Sequence, residues 1–241
     1  MESSLEQVDT VILCGGEGTR LRSLGGDLPK VLMKVGGRPF LDLLLESLYR
    51  QGLRRIILSV GYRREKIREH VRAAGQAVDF SEEERPLGTG GAVKQTAALI
   101  QSPSFLVLNG DSLCHVDLRR FYKFHCAREG ILTMAVAKPL AGEEYGIVRI
   151  NENHRITGYS EKTAGGAGDL INAGLYFMRR DIFAALPGKE RFSLEYDLFP
   201  HILDRGCYAF PAAGELFDIG TPERLARAHR FLSPVLSPPE E

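Results

Sequence analysis

The chain has few cysteines for its length, and none of them is paired in the sequence. Its 241 residues include four, Cys14, Cys114, Cys126 and Cys207, with no CxxC or CxxH spacing. Without such a spacing, neither a structural zinc site nor a disulfide framework is expected. We therefore interpret the four cysteines as isolated thiols in a reducing compartment.

The chain also lacks an excess of charge and long apolar runs. Lysine and arginine total 31, and aspartate and glutamate also total 31, so the overall charge does not favour nucleic acid or an anionic membrane. The apolar runs are too short to cross a bilayer, and Met1–Gln7 is polar and acidic rather than a signal peptide. We predict a cytoplasmic protein with no nucleic-acid or membrane partner. The sequence is compatible with a homo-oligomer.

Strand and helix patterns alternate over the first half of the chain. With 44% hydrophobic residues, a chain of this length can form one large domain. The predicted strands are Val8–Leu13, Arg55–Val60, Ala77–Ser81, Phe105–Leu108 and Ile131–Ala137. The predicted helices are Pro39–Arg50, Glu65–Arg72, Gly90–Ile100 and a segment capped by Asp117 that runs to Ala127. This alternation favours an α/β fold with a mostly parallel sheet and helices on both faces.

The pattern changes after Lys138. Three further strands are predicted, at Gly146–Ile150, Ile156–Ser160 and Leu170–Met178, and a glycine-rich stretch, Ala164–Gly168, precedes the last of them. We interpret residues 138–180 as a substrate-facing elaboration of the same sheet. A final helix from Thr221 to about Phe231 would complete one domain, residues 1–232. The prolines of residues 233–241 predict a tail that cannot continue the helix.

A glycine-rich loop with three cations follows the first predicted strand. It reads LCGGEGTRLRSLGGDLPK, from Leu13 to Lys30. Glycines let backbone N–H groups approach an anion, and Arg20, Arg22 and Lys30 can neutralise phosphate oxygens. Ligands of open parallel sheets bind beyond the carboxyl ends of the strands, where this loop lies. Composition alone would fit a solvated surface loop equally well, but the order of the residues is more specific.

That order closely resembles the signature of the sugar-1-phosphate nucleotidyltransferases, LxGGxGTRL followed by PK. Here the motif is Leu13–Leu21 with Pro29 and Lys30, and the resemblance extends from about Val8 to Leu232. It implies a Rossmann-like sheet and a Mg²⁺-dependent reaction in which a nucleoside triphosphate condenses with a sugar 1-phosphate and releases pyrophosphate.

Three stretches, GDLPK, GRPFLDLLLESLYRQG and EERPLGTGGA, most resemble the D-glycero-D-manno-heptose 1-phosphate guanylyltransferases. This resemblance implies transfer of GMP from GTP to that heptose phosphate, giving an activated sugar for surface polysaccharide or glycoconjugate synthesis. The alternatives are a mannose-1-phosphate guanylyltransferase, or a uridylyl-, thymidylyl-, cytidylyl- or adenylyltransferase acting on another hexose 1-phosphate. A non-catalytic nucleotide-sugar-binding module is a remoter alternative. A glycosyltransferase would need a D-x-D motif, which Asp111-Ser112-Leu113 lacks.

The resemblance implies three sets of site residues. The catalytic set is Arg20, Lys30, Asp111 and Asp218, and the two aspartates of this set would hold the metal. The nucleotide-binding set is Leu13, Gly15, Gly16, Gly18, Thr19, Glu83, Gly88 and Thr89. The set that binds the sugar phosphate is Tyr145, Gly146, Glu161, Lys162, Asn172 and Gly174.

Simple chemistry supports part of this assignment. Mg²⁺ prefers carboxylate and phosphate oxygens, and Asp111 and Asp218 both end short apolar runs, so they could share one rim of the sheet. Alternatively, Asp111 is a turn residue and Asp218 a helix-capping acid. Thr89 would open a helix whose N-terminus stabilises phosphate.

The base and the sugar would each be recognised by polar side chains. Glu83 or Glu84 could accept the N1–H and N2–H of guanine. A solvated acidic run explains these glutamates equally well, and Arg85 stands where heptose-specific relatives are expected to have an acid. For the sugar, Asn172 would bond hydroxyls, Lys162 would neutralise the phosphate, and glycines 146 and 174 would leave room for the ring.

Overall fold

The alternating patterns form one mixed sheet with helices on both faces. The computed structural model describes residues 4–139, 143–164, 166 and 168–236, and for Arg22, Ser23, Lys162, Ala164 and residues 231–236 it describes the backbone alone. Residues 165 and 167 of the predicted glycine-rich stretch lie outside the described residues, as does the predicted tail from residue 237 onward.

The strands have two to ten residues and the helices four to fifteen. The strands are β1 Asp9–Cys14, β2 Lys34–Val35, β3 Arg38–Pro39, β4 Arg55–Val60, β5 Asp79–Glu82, β6 Ser104–Asn109, β7 Ser112–Cys114, β8 Leu132–Ala137, β9 Glu144–Ile150, β10 Ile156–Ala164, β11 Leu170–Arg179, β12 Cys207–Pro211 and β13 Leu216–Asp218. The helices are α1 Arg22–Gly25, α2 Phe40–Arg50, α3 Arg64–Ala73, α4 Gly88–Gln95, α5 Leu118–Cys126 and α6 Pro222–Leu236. Short 3₁₀ turns include Thr19–Leu21 and Lys30–Leu32, and Leu194–Leu198 forms one π-helical turn. No helix of the described residues is long and apolar enough to cross a membrane.

Nine strands of the described residues form the central sheet. Seven follow the order β10-β9-β11-β6-β1-β4-β5, β8 pairs with β11, and β12 pairs with β8. Strands β5, β4, β1 and β6 run parallel, whereas β11 is antiparallel to β6, β8 and β9. The predicted fold class is confirmed, and the strands of residues 138–180 belong to the same sheet, as expected.

Apolar side chains fill both faces of the sheet. Successive residues of a strand point to opposite faces, so Val11 packs in one core cluster and Ile12 in the other. Leucines of α2 cover the face of Ile12, while Val93 of α4 and Phe199 pack on the face of Val11. Two buried faces explain why the parallel strands are continuous apolar runs.

Helix starts agree with the predicted caps. The Asp117 carboxylate accepts the Arg120 N–H at 3.0 Å, as expected for the residue that caps the start of α5. At the start of α6, the Thr221 hydroxyl accepts the Arg224 N–H at 3.3 Å.

The prediction for the end of α6 was wrong. The helix was expected to end near Phe231, with a non-helical tail from residue 233, but it continues to Leu236 and includes Pro234. Proline keeps a helical φ and removes one backbone hydrogen bond, so a single proline near the end of a helix weakens the last turn without ending it.

The sequence patterns missed five short strands: β2, β3, β7, β12 and β13. Segments of two to five residues are too short to show a two-residue period. One of these pairs matters for the site, because β13 runs antiparallel to β7 with Asp218 opposite Ser112.

His125 of α5 is a buried polar side chain in the core. It is 2% exposed, and its ring nitrogens contact Thr133 Oγ1 at 2.8 Å and Ser104 Oγ at 3.2 Å. Burial, together with the charge of Arg179, lowers the pKa of His125 from 6.5 to about 4. The ring is therefore neutral in the folded protein at pH values where it is protonated in the unfolded chain.

This difference predicts acid sensitivity. Between pH 6.5 and about 4 the unfolded chain binds more protons at His125 than the folded protein does. As the pH is lowered through this range, His125 should therefore reduce the free energy of unfolding by on the order of 3 kcal/mol. Urea unfolding of wild type and His125→Gln at pH 7.5, 5.5 and 4.5 measures the slope. The free energy of unfolding of the variant should depend less on pH than that of wild type. An equal pH dependence in the two proteins would contradict the buried, neutral state of His125.

Candidate active site

The parallel strands end at one edge of the sheet, and two cavities open there. After β1 come Gly15 and Gly16, after β4 comes Gly61, after β5 comes Glu83, and after β6 comes Gly110. The first cavity has a volume of about 500 Å³ and the second about 420 Å³. This is the edge at which open parallel sheets bind ligands.

The first cavity lies between the glycine-rich loop and the segment after β5. Of the residues predicted to bind nucleotide or to act in catalysis, it is lined by Leu13, Gly15, Gly16, Lys30, Glu83, Gly88, Thr89 and Asp111. Glu84, Arg85 and Arg191 also line it. The predicted nucleotide set is therefore largely gathered around one cavity.

The second cavity lies beside the first. Of the predicted residues, it is lined by Gly18, Thr19, Arg20, Lys30, Asp111, Tyr145, Gly146, Glu161, Asn172 and Asp218. The structure thus places Gly18, Thr19 and Arg20 on this side rather than around the first cavity. Lys30, Asn109 and Asp111 line both cavities and mark their junction.

Lys30 and Asp111 form an ion pair at this junction. Lys30 begins a 3₁₀ turn after the glycine-rich loop, and Asp111 follows β6, so two separate turns bring the charges together. Burial favours a higher pKa for Asp111, but the Lys30 charge and hydrogen bonds from Lys30 and Ser112 outweigh it and lower that pKa. Asp111 is consequently an ionised carboxylate at neutral pH.

Asp218 is held close to Asp111 by backbone pairing. Strand β13 aligns Asp218 with Ser112, and the Ile219 N–H donates to the Asp111 carbonyl at 3.0 Å. The Asp218 carboxylate accepts the Gly220 N–H at 2.8 Å and Arg224 Nη1 at 3.0 Å. The two predicted metal-binding aspartates therefore lie on adjacent turns at the rim of the second cavity.

This pair fits a hard divalent cation that takes its remaining ligands from elsewhere. No cluster of three or more His, Cys, Asp or Glu side chains able to hold a metal occurs among the described residues. Two carboxylates completed by phosphate oxygens and water are a common arrangement for Mg²⁺. The donor set is suited to a cation that arrives with a phosphate ligand.

Glu83 connects the two loops that border the first cavity. It is 8% exposed, and its Oε2 accepts the Leu87 N–H at 2.9 Å. A Cβ added to Gly15 would lie 2.3 Å from Glu83 Oε1, so a side chain at position 15 would displace this carboxylate. Burial raises the pKa of Glu83, and the bond from Leu87 opposes this rise. Glu83 thus anchors its own loop, whereas Glu84 is exposed at the same cavity.

The start of α4 differs from what the sequence predicted for it. Its first free N–H groups were expected to stabilise phosphate, but those of Gly90 and Gly91 donate to the Phe192 carbonyl at 3.0 and 3.2 Å. The Thr89 hydroxyl accepts the Leu194 N–H at 2.9 Å and donates to Glu195 at 2.7 Å. The segment from 190 to 194 therefore occupies two of the N–H groups at the helix start that the sequence assigned to a phosphate.

A hydrogen-bonded group of side chains lines the second cavity. Asn172 accepts the Gly174 N–H at 2.9 Å and donates to the hydroxyls of Tyr176 at 2.8 Å and Tyr159 at 3.3 Å. Tyr159 in turn donates to Glu161 at 2.5 Å. The Asn172 amide N–H groups are thus used within the protein, and the side chain acts here mainly as a support for Tyr159 and Tyr176.

The two predicted sugar-site glycines have structural neighbours of their own. A Cβ on Gly146 would lie 2.3 Å from the Tyr159 hydroxyl, so this glycine makes room for that tyrosine. Gly174 has φ 73° and packs against Asn109, and it is not among the described residues that line either cavity. Lys162 lies in β10, and its side chain lies outside the described part of the chain.

Sequence reasoning missed Arg224 and Glu143. Arg224 bonds Glu143 at 2.8 Å as well as Asp218, and its guanidinium lies 5.4 Å from the centre of the Tyr145 ring. Glu143 also pairs with Arg227 at 2.5 Å and accepts the Tyr145 hydroxyl at 2.9 Å. The signal for Arg224 was its position six residues after Asp218, in the first turns of α6.

Comparison with known proteins agrees with this geometry. A family model described as nucleotidyl transferase matches residues 9–234. The chain belongs to the nucleotidyl transferase family. The residues that line both cavities fall inside the matched range, so the cavities of this transferase lie in the region shared with the family.

Three relatives are informative about the subgroup. The D-glycero-α-D-manno-heptose 1-phosphate guanylyltransferase of Aneurinibacillus thermoaerophilus is 35% identical over 93% of this transferase and 98% of its own chain. The mannose-1-phosphate guanylyltransferase of Mycobacterium tuberculosis is 33% identical over 96% of this transferase and 66% of its own chain. The crystal structure of HddC from Yersinia pseudotuberculosis in complex with GMP-PN matches with a TM-score of 0.81 at 35% identity, over 92% of this transferase and 98% of that chain.

The contact between α4 and the segment after residue 190 gives a testable prediction for this transferase. A Cβ on Gly91 would lie 2.3 Å from the Glu190 carbonyl, whereas a Cβ on Gly16 would meet nothing within 4 Å. Gly91→Ala should therefore lower the free energy of unfolding by about 1–3 kcal/mol, and Gly16→Ala should change it by less than about 0.5 kcal/mol. Urea unfolding at pH 7.5 measures both, and equal losses would contradict the close packing.

Proposed function

We propose that this nucleotidyl transferase transfers GMP from GTP to D-glycero-D-manno-heptose 1-phosphate and releases pyrophosphate. The observation that carries the proposal is the junction of the two cavities at Lys30, Asn109 and Asp111. A reaction between two phosphorylated substrates needs two adjacent binding cavities whose phosphate ends meet, and it needs charge at the meeting point. The arrangement has both features.

The choice of base and sugar is supported by the relatives. The HddC structure contains GMP-PN, and the Aneurinibacillus enzyme is a heptose 1-phosphate guanylyltransferase. Both are 35% identical to this chain and are covered almost completely by it. The mannose-specific enzyme of Mycobacterium tuberculosis, at 33% identity, supports mannose 1-phosphate as the second candidate substrate.

In this proposal, GTP occupies the first cavity. The backbone of Gly15 and Gly16 approaches the triphosphate, and Lys30 neutralises a phosphate at the junction. Glu83 or Glu84 accepts the N1–H and N2–H of guanine, with the backbone of Gly88 and the side chain of Arg85 nearby. The exposed carboxylate of Glu84 is the better placed of the two acids, because the Leu87 N–H already holds Glu83.

The sugar phosphate occupies the second cavity. Arg20 lines this cavity, so in this proposal it neutralises the phosphate that reaches the junction, and Lys162 of β10 adds a further cation. Glu161, fixed by Tyr159, accepts hydroxyls of the sugar. In this proposal, cationic side chains bind the phosphate and a carboxylate binds the sugar hydroxyls, which matches the two kinds of group in a sugar phosphate.

Asp111 and Asp218 would hold the divalent metal that nucleotidyl transferases generally use, which we propose is Mg²⁺. When bound there, the metal would polarise the phosphate oxygens and reduce their mutual repulsion.

Catalysis in this proposal needs no general base, since the attacking oxygen of the sugar phosphate is already an anion. The role of the protein is to align the attacking oxygen with the α-phosphorus and to neutralise charge. Lys30 is 15% exposed, so water screens its ammonium charge only weakly. The pyrophosphate would leave towards the backbone amides of the glycine-rich loop.

The substrate proposal is tested by pyrophosphate release over a grid of five triphosphates, GTP, ATP, UTP, CTP and dTTP, against heptose, mannose and glucose 1-phosphates. GTP with the heptose phosphate should give the highest kcat/KM. A higher value for GTP with mannose 1-phosphate would move the protein to the second candidate function. If no combination of triphosphate and sugar phosphate released pyrophosphate, the proposed activity would be wrong.

The metal proposal is tested separately. Asp111→Asn and Asp218→Asn should each lower kcat by about 10²-fold or more, because each removes a charged oxygen ligand from the shared site. Both should also weaken Mn²⁺ binding, followed by electron paramagnetic resonance with GTP present. Asp79→Asn, an exposed acid at the other end of β5, is the control. An aspartate whose variant binds Mn²⁺ and turns over like the control does not belong to the metal site.

A further inference from the structure

Arg224 lies between two carboxylates at the rim of the second cavity. It belongs to the first turn of α6, and its side chain is 22% exposed. Its Nη1 donates to Asp218 Oδ2 at 3.0 Å, and its Nη2 contacts Glu143 Oε2 at 2.8 Å. The guanidinium therefore bridges a proposed metal ligand and an acid that immediately precedes β9.

Glu143 fixes the guanidinium in this position. Its Oε1 pairs with Arg227 Nη2 at 2.5 Å, and its Oε2 accepts the Tyr145 hydroxyl at 2.9 Å. Burial favours a higher pKa for this carboxyl, but hydrogen bonds from Arg227 and Tyr145 and the charges of both arginines outweigh it and lower that pKa. Glu143 is thus a carboxylate at neutral pH, and it holds Arg224 in place beside Asp218.

Each proposed metal ligand already has a cationic partner in the protein. Lys30 pairs with Asp111, and Arg224 pairs with Asp218. These groups converge on one small space, because a Cβ built on Gly220 would lie 2.8 Å from Asp218 Oδ1. The same point lies 3.6 Å from Lys30 Nζ and 3.9 Å from Arg224 Nη1. The charges of the two carboxylates and the two cations cancel, so the region as a whole does not attract a divalent cation.

A free divalent cation and a metal–triphosphate complex would meet this site differently. The free cation is repelled by Lys30 and Arg224, which are largely shielded from water, and it finds two carboxylates that are already paired. The described part of the chain offers no group of three or more acidic, histidine or cysteine side chains that could hold it instead. A metal bound to a triphosphate brings an excess of negative charge, which the two cations attract.

We propose that Arg224 excludes free divalent metal from Asp218, so that the protein takes up its metal as the complex with the nucleoside triphosphate. Arg224 acts through Asp218 and is therefore a positioning residue. The inference rests on the proposed function and adds to it the chemical form in which the metal arrives and the residue that selects that form. If Arg224 only oriented Asp218, removing the arginine would have the opposite effect and weaken metal binding.

Binding of Mn²⁺ alone, followed by electron paramagnetic resonance without nucleotide, tests the inference. Arg224→Gln should bind Mn²⁺ about tenfold more tightly than wild type, because a positive charge beside the carboxylate is removed while a hydrogen-bond donor remains. Arg224→Lys keeps the charge and should stay within about threefold of wild type. The affinity of Arg224→Gln for the Mn²⁺–GTP complex, measured by calorimetry, should change by less than about threefold, since the lost attraction for phosphate offsets the freed carboxylate.

The matched control is Arg227→Gln, which removes the same charge one turn further along α6. Arg227 pairs with Glu143 and with no other acid in the described part of the chain, so the Mn²⁺ affinity of this variant should stay within about twofold of wild type. Asp218→Asn combined with Arg224→Gln should lose the gained affinity, because the gain requires the Asp218 carboxylate. Thermal unfolding without metal shows which variants are folded.

A measurement on wild type does not depend on the folding of any variant. Mn²⁺ alone, at about 1 mM, should raise the melting temperature by less than about 1 °C, whereas Mn²⁺ with GTP should raise it by several degrees. An equal rise in the two conditions would overturn the inference.

Three results of the titrations would also overturn it: Mn²⁺ binding by Arg224→Gln that equals or falls below that of wild type, an equal gain in Arg227→Gln, or a gain that persists without Asp218. The proposed function fails separately, because the Mn²⁺ titrations need no turnover and the pyrophosphate assay needs no variant.

Discussion

The ion pair between Lys30 and Asp111 is the interaction on which the site depends. It lies at the point shared by the two cavities, and its members come from turns that are far apart in the sequence. Lys30 is largely shielded from water whereas Asp111 is partly exposed, so losing Asp111 would leave the Lys30 charge without this partner in a poorly solvated place. Three elements hold these charges and Asp218 in one small region: the glycine-rich loop, the end of β6 and the β7–β13 pair.

Close backbone approach is the second constraint. The helix start that Thr89 opens was predicted to stabilise phosphate, yet glycines 90 and 91 lie against the segment that begins at Glu190. A glycine-rich motif can therefore allow close approach of a ligand or close approach of another part of the same chain. In this protein the loop after β1 borders a cavity, whereas the motif at α4 does both: Gly88 and Thr89 line the same cavity, and Gly90 and Gly91 pack against the other segment.

The sequence predicted the fold class and the sheet edge at which the candidate site lies, because both follow from patterns that are local. Apolar runs gave the strands, and the order of residues from Leu13 to Lys30 gave the loop at the sheet edge. The same reasoning could not find how long-range partners use up hydrogen-bonding capacity. Asn172 and Thr89 were assigned to ligands, but their donors are used by Tyr159, Tyr176 and Glu195. Arg224 was missed because its relation to Asp218 depends on how β13 meets α6.

The position of β11 has a consequence for how the polypeptide forms its structure. Leu170–Arg179 lies between β6 on one side and β8 and β9 on the other, so a late segment of the chain occupies the middle of the sheet. A nascent chain that has emerged from the ribosome only as far as Ala137 would have the parallel strands but would present β6 as an uncovered edge, which is a template for pairing with other chains. Until β11 pairs with β6, the exposed edge of the parallel half could pair with the wrong strand. This risk of misassembly would end only when the second half of the chain has been made and has folded.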